Sequence, residues 1–211
     1  MDIMIEKLAC RLGRNDEIPN IELAELLCHN EDVMGINEIV RGLESKDKAI
    51  ANDCIKVLYE IGKKKPHLIS EYANVFLTLL FSRNNRLVWG SMTALAAITE
   101  SVPDIIYGEI DRVLSVFHGG GVITVDNSIT VLSKLCRANK VYENHIFPLL
   151  LEHLQNCRPK EVAQHAERIS VCVNKDNAKE FFDVLNTRKD HLTNAQNERI
   201  RKLEVKISNY L

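Results

Sequence analysis

The sequence predicts an all-α fold: a right-handed α-α superhelix, or solenoid, of about six antiparallel helix pairs. Three observations predict it. Apolar residues recur every 37 residues, at Leu58, Leu95, Leu132 and Ile169, at Ile61, Ile98, Leu135 and Cys172, and at Ala51, Val88, Val125 and Val162. Ile39, Phe76, Val113 and Leu150 keep the same step, as do Val40, Leu77, Leu114 and Leu151. Within each unit the apolar residues fall three and four apart, the helical spacing. A repeat of this length with helical patterning inside it means stacked helix pairs. Lastly, aromatics make up only 6% of the chain, so Leu, Ile, Val and Ala must carry the core, which suits close helix packing better than a sheet.

The elements follow in order. Residues 2–12, with Ile3, Leu8 and Leu12, are expected to pair with a short helix over 19–28, where Pro19 is tolerated in the first turn. Residues 33–43 make the next first helix. Its partner runs through Ile61, with Ser45 or Asp47 as the cap. Lys63, Lys64 and Lys65 occupy the last turn, where cations oppose the negative dipole end, and Pro66 stops the helix. Residues 71–81 pair with the helix of Val88, Met92, Leu95 and Ile98 across Asn84 and Asn85. Ile106, Ile110, Val113, Leu114 and Phe117 mark another first helix, which Gly119-Gly120-Gly121 breaks before 122–137. Residues 143–155 and 161–173 pair across Arg158-Pro159, and 178–185 pairs with 192–211, whose polar face suits an end cap. The expectation is one domain over 1–211: a cap pair at 1–30, core repeats at 31–175 and a second cap pair at 176–211.

A chain of 211 residues, 45% hydrophobic and 27% charged, has the composition of a globular protein with a sizeable core. Its net charge of −2 argues against a dedicated nucleic-acid binder, which is usually strongly basic. No apolar run reaches the roughly 18 residues a membrane span needs, and the first residues, Met1-Asp2-Ile3-Met4-Ile5-Glu6-Lys7, do not read as a signal peptide. The expected location is therefore cytoplasmic. Cys10, Cys28, Cys54, Cys136, Cys157 and Cys172 form no C-x-x-C pair and read as small buried hydrophobes in a reducing compartment.

The segment from His145 to Leu154, with its internal Pro148, followed by Glu161-Val162-Ala163-Gln164-His165-Ala166-Glu167-Arg168-Ile169, resembles a HEAT repeat. Val88-Trp89-Gly90-Ser91-Met92-Thr93-Ala94-Leu95 looks like the same second helix. The resemblance spans about residues 33–173 and identifies a divergent HEAT or armadillo-like array. The family's Arg position holds Asn52, Trp89, Asp126 and Ala163, and its Asp position holds Lys46, Arg83, Gly120 and Cys157. The resemblance implies that the second helices line a concave face. Asn52, Asp53, Lys56, Tyr59, Trp89, Thr93, Asp126, Asn127, Thr130 and Lys134 are the partner-binding candidates on it, beside Gly90, Gln164 and Glu167. Two placements of Trp89 stay open: an interface anchor, or a ring tucked against the neighbouring helix.

No catalytic constellation is complete. His118-Gly119-Gly120-Gly121 looks like an esterase oxyanion loop, but the chain has no G-x-S-x-G elbow, so the glycines read as a turn. Glu161 and His165 lie one turn apart, and His145, Glu152 and His153 are near in sequence, yet no H-E-x-x-H pattern joins them. The expectation is no metal and no cofactor. Asp126 reads as a helix N-terminal acid, and the basic residues of 188–206 as a solvated cap face. The expected function is a non-enzymatic scaffold or adaptor that binds a protein or peptide on the concave face. The alternative is a HEAT-like DNA-binding protein or alkylpurine DNA glycosylase, with Trp89, Asp126 and Tyr59 near the base. Asp53, Asp126 and Glu167 against only Lys56 and Lys134 make that face poor for phosphates. HEAT-like lyases and hydroxylases are a third class; the recurring His-Glu ligands of the hydroxylases are absent from the sequence.

Overall fold

The computed structural model describes residues 3–210, and every regular element among them is helical. Twelve α-helices follow in order: α1 (Ile18–Asn30), α2 (Val33–Gly42), α3 (Lys48–Lys64), α4 (Ala73–Leu79), α5 (Asn85–Ile98), α6 (Pro103–Gly108), α7 (Ile110–Gly119), α8 (Val122–Ala138), α9 (Lys140–Asn156), α10 (Pro159–Ile169), α11 (Ala178–Arg188) and α12 (Asn194–Ile207). The chain divides into two compact units, one ending at Ser128 and the other starting at Ile129.

Side-chain caps open several of the helices. Asp47 accepts from the Ala49 amide at 2.8 Å to open α3, while Ser45 supports Asp47 by accepting from its amide. Asn84 opens α5 and Asn139 opens α9 in the same way. Thr193 and Gln196 form a reciprocal capping box on α12. Pro66 follows the end of α3, and Pro159 occupies the first turn of α10. Pro148 lies within α9, which continues through it.

The 37-residue register describes the core. Leu58, Leu95, Leu132, Ile169, Ile61, Ile98, Leu135, Ile39, Phe76, Val113 and Leu150 are all fully buried. Each such side chain contributes about 1.5–3 kcal/mol through removal from water. In the first unit, α3 packs against α1, α2 and α5. It is enclosed so fully that every residue from Cys54 to Gly62 is buried. In the second unit α9 packs on α11, and α10 on α12.

Two expected elements differ. Residues 2–12 are not a helix: Ile5–Lys7 form one 3-10 turn, Ile3 and Leu12 are exposed, and Leu8 alone of the three is buried, while Asp2 lies outside the described residues. Side chains of the neighbouring helices take the amides that a helix would have paired. Glu38 accepts from Met4 and Ile5, Asn20 from Ala9 and Asp53 from Cys10. The expected single helix through Ile106 and Phe117 is broken at Glu109 into α6 and α7. Gly108, which costs a helix about 1 kcal/mol relative to Ala, sits at the break.

Candidate functional site

The first unit gathers charge and aromatic rings where α3 meets α1 and α5. Lys56 and Glu60 are one turn apart on α3, and the Lys56 ammonium donates to Glu60 Oε1 at 2.8 Å. It also pairs with Glu17 Oε2 at 2.9 Å, just before α1. Lys63 donates to the same Glu60 oxygen at 2.8 Å, and Arg86 of α5 pairs with Glu17. Three cations therefore share two carboxylates. The Tyr59 and Trp89 rings lie beside them with centroids 5.8 Å apart. Lys56 and Lys63 each stand 4.9 Å from the Tyr59 centroid, and the Arg86 guanidinium stacks 4.4 Å from that of Trp89.

The electrostatics follow from this crowding. Burial pushes the Glu60 carboxyl up, but hydrogen bonds from Lys56 and Lys63 outweigh it and hold the group below the ordinary glutamate value. Glu17 shows the same balance, with Lys56 and Arg86 as donors. Burial favours the neutral form of Lys56, yet its bonds to Glu60 and Glu17 raise its pKa and keep it charged. Burial raises the Tyr59 hydroxyl, partly opposed by Lys56.

Of the ten residues expected on the second-helix face, Lys56, Tyr59 and Trp89 meet in this cluster. Lys56 and Tyr59 differ from the expected open position: both are buried, because α1 and Glu17 cover this part of α3. Trp89 is half-buried, tucked against Tyr59 and Arg86. The partners Glu17, Glu60 and Arg86 escaped the sequence reading, and Lys63 was read there only as a last-turn cation. Glu60 and Lys63 carry a signal, being four and seven positions beyond Lys56 on one helix face. Glu17 carries none, because only tertiary folding brings it to Lys56.

The other candidates cross-link successive helices or sit beside them. Asn84 Nδ2 donates to Asn52 Oδ1 at 2.8 Å, tying the α5 cap to α3. Asn127 of α8 donates to Thr93 Oγ1 of α5 at 2.9 Å, and Thr93 in turn donates to the Trp89 carbonyl. Asp53 points elsewhere, accepting from the Cys10 amide of the N-terminal segment. Asp126 is half-buried. In the second unit Arg168 donates to Thr130 Oγ1 at 2.6 Å, Lys134 is half-buried, and Glu167 accepts from Arg199 of α12. Gly119 is the last residue of α7, and Gly120-Gly121 form the turn between α7 and α8.

No protein-family model and no curated protein matches the sequence. Solved structures do match in fold. An engineered protein aligns with a TM-score of 0.67 over 99% of this chain and 95% of its own, at 13% identity. A designed armadillo repeat protein in complex with the peptide (KR)4 aligns with a TM-score of 0.66 over 96% of this chain and 97% of its own, at 11% identity. A second designed armadillo repeat protein gives a TM-score of 0.64 at 12% identity, covering 96% of this chain and 95% of its own. The fold of this chain is therefore an all-α, armadillo or HEAT-like helical repeat.

Proposed function

We propose that this chain is a non-enzymatic scaffold that binds a protein or peptide segment on the second-helix face of its first unit. The observation that carries the reading is the row from Asn52 and Asn84, through Tyr59, Trp89 and Arg86, to Thr93 and Asn127. A half-exposed Trp held by an Arg and a Tyr is a pre-ordered anchor, so a partner loses little side-chain freedom on binding it. The hydrogen-bonded amides and hydroxyls around it are suited to the backbone of an extended segment. A designed relative in fold binds the peptide (KR)4, which supports peptide binding as a use for such a face. The cations here share carboxylates, which disfavours the DNA-binding alternative, since phosphate binding needs unpaired positive charge. All six cysteines are free, in keeping with a reducing compartment such as the cytoplasm. No described helix is long and apolar enough to cross a membrane.

The test is selection from a displayed peptide library on the immobilised full chain, followed by titration read through tryptophan fluorescence. Trp89 is the only tryptophan, so its emission reports the site directly. A selected peptide should shift that emission, and Trp89→Ala should weaken its binding by at least about tenfold. Peptides that bind Trp89→Ala as well as the parent chain would refute the site.

A further inference from the structure

We propose that His153, Cys157 and His165 form a binding site for zinc or a similar thiolate-binding metal ion, clamping the end of α9 to α10. Each of the three side chains offers one ligand atom, an imidazole nitrogen from His153 and His165 and the sulphur of Cys157, and these atoms all lie within 4.8 Å of one another. The two imidazole nitrogens are 2.9 Å apart. Zinc holds imidazole nitrogen at about 2.0–2.1 Å and thiolate at about 2.3 Å, which places tetrahedral ligand atoms roughly 3.3–3.8 Å apart. Rotamer adjustments of about an ångström therefore convert the cluster into three corners of a tetrahedron.

The local fold holds the ligands ready. His153 is in the last turn of α9, and Cys157 is that helix's C-cap, with its amide donating to the His153 carbonyl at 2.7 Å. Two ligands four apart at a helix end face the same way. Arg188 of α11 reaches the loop and donates to the carbonyls of Gln155 and Cys157, fixing the thiol-bearing backbone. His165 comes from the middle of α10 and is 1% exposed. Its equivalents 37 residues apart are Cys54, Ser91 and Ser128, all small and fully buried, so an imidazole here is a departure from the repeat's own packing rule. His153 is only half-buried, which leaves an entry path.

The donor set selects the metal class. Two imidazoles and a thiolate suit zinc, copper(I) or cobalt(II), whereas magnesium and calcium require oxygen ligands. Binding proceeds without redox change. The Cys157 thiol gives its proton to solvent and the sulphur takes a bond to the metal. Both imidazoles bind neutral, with His153 keeping its proton on Nδ1 and His165 on Nε2. Burial pushes the free thiol up to about 11, opposed by Arg188, so the metal must displace a firmly held proton. A water completes the fourth position.

The experiment titrates cobalt(II), then zinc, into the chelator-treated full chain. One equivalent of cobalt should produce a sulphur-to-cobalt charge-transfer band and the visible bands of a tetrahedral site, and zinc should erase both. Cys157→Ser changes little volume at a half-buried position and should abolish the charge-transfer band with the helical circular dichroism intact. His153→Gln should weaken cobalt binding at least tenfold. Zinc should raise the melting temperature of the parent chain and leave that of Cys157→Ser unmoved. A parent chain without the charge-transfer band, or a band that survives Cys157→Ser, would overturn the site.

Discussion

The Trp89 ring of α5 lies 5.8 Å from the Tyr59 ring of α3, tilted by 45°, with the Arg86 guanidinium stacked 4.4 Å from the indole centroid. This contact joins two neighbouring second helices and leaves part of the indole open, so one side chain serves both packing and the proposed recognition.

Trp89→Ala should cost about 1–2 kcal/mol in urea unfolding, less than the 3–5 kcal/mol typical of a fully buried Trp. A loss at the upper figure would show that the ring is core and leave little of it for a partner.

Gly90→Ala should destabilise despite alanine's better helix propensity, worth about 1 kcal/mol. A Cβ at Gly90 would stand 2.6 Å from Cγ1 of Ile55, a β-branched and fully buried side chain with little freedom to yield. Overpacking of this kind costs about 1–3 kcal/mol, so the net effect should be a lower midpoint in thermal denaturation.

Leu95→Asp places a charge at a fully buried position of α5, and burial of an unpaired carboxylate costs several kcal/mol. The first unit should lose cooperative unfolding by circular dichroism. A variant that melts like the parent would contradict the register.

Glu60→Gln should cost about 1–2 kcal/mol at neutral pH by weakening the bonds from Lys56 and Lys63. Its pH dependence has a definite sign. The folded Glu60 carboxyl lies below its ordinary value near 4.5, so its contribution is complete above that value and fades as pH falls through the lower folded one. Stability curves for parent and variant should therefore converge in acid below about pH 4.5. Curves that stay parallel would show that Glu60 carries no such linkage.

The helical repeat was legible because burial follows the chain's own period. Leu58, Leu95 and Leu132 sit at one place in successive units, so local spacing and tertiary position carry the same information. Capping was legible for a similar reason: Asp47 and Pro66 act within a few residues of themselves. The start of the chain was not, because its amides are paired by Asn20, Glu38 and Asp53, all remote in sequence.

The same division applies to the sites. Trp89, Tyr59 and Lys56 stood out by residue type at a regular position, but the burial of Tyr59 and Lys56 was set by Glu17 and α1, which no periodicity places over α3. His153, Cys157 and His165 follow no metal-ligand spacing pattern, yet the turn between α9 and α10 folds them together. By itself the sequence determined what repeats: the helix pairs, their length and their apolar faces, since each depends on neighbours three, four or 37 positions away. Only the tertiary structure decided which polar side chains meet, because ion pairs, stacked rings and ligand clusters depend on distances across helices that the repeat does not encode.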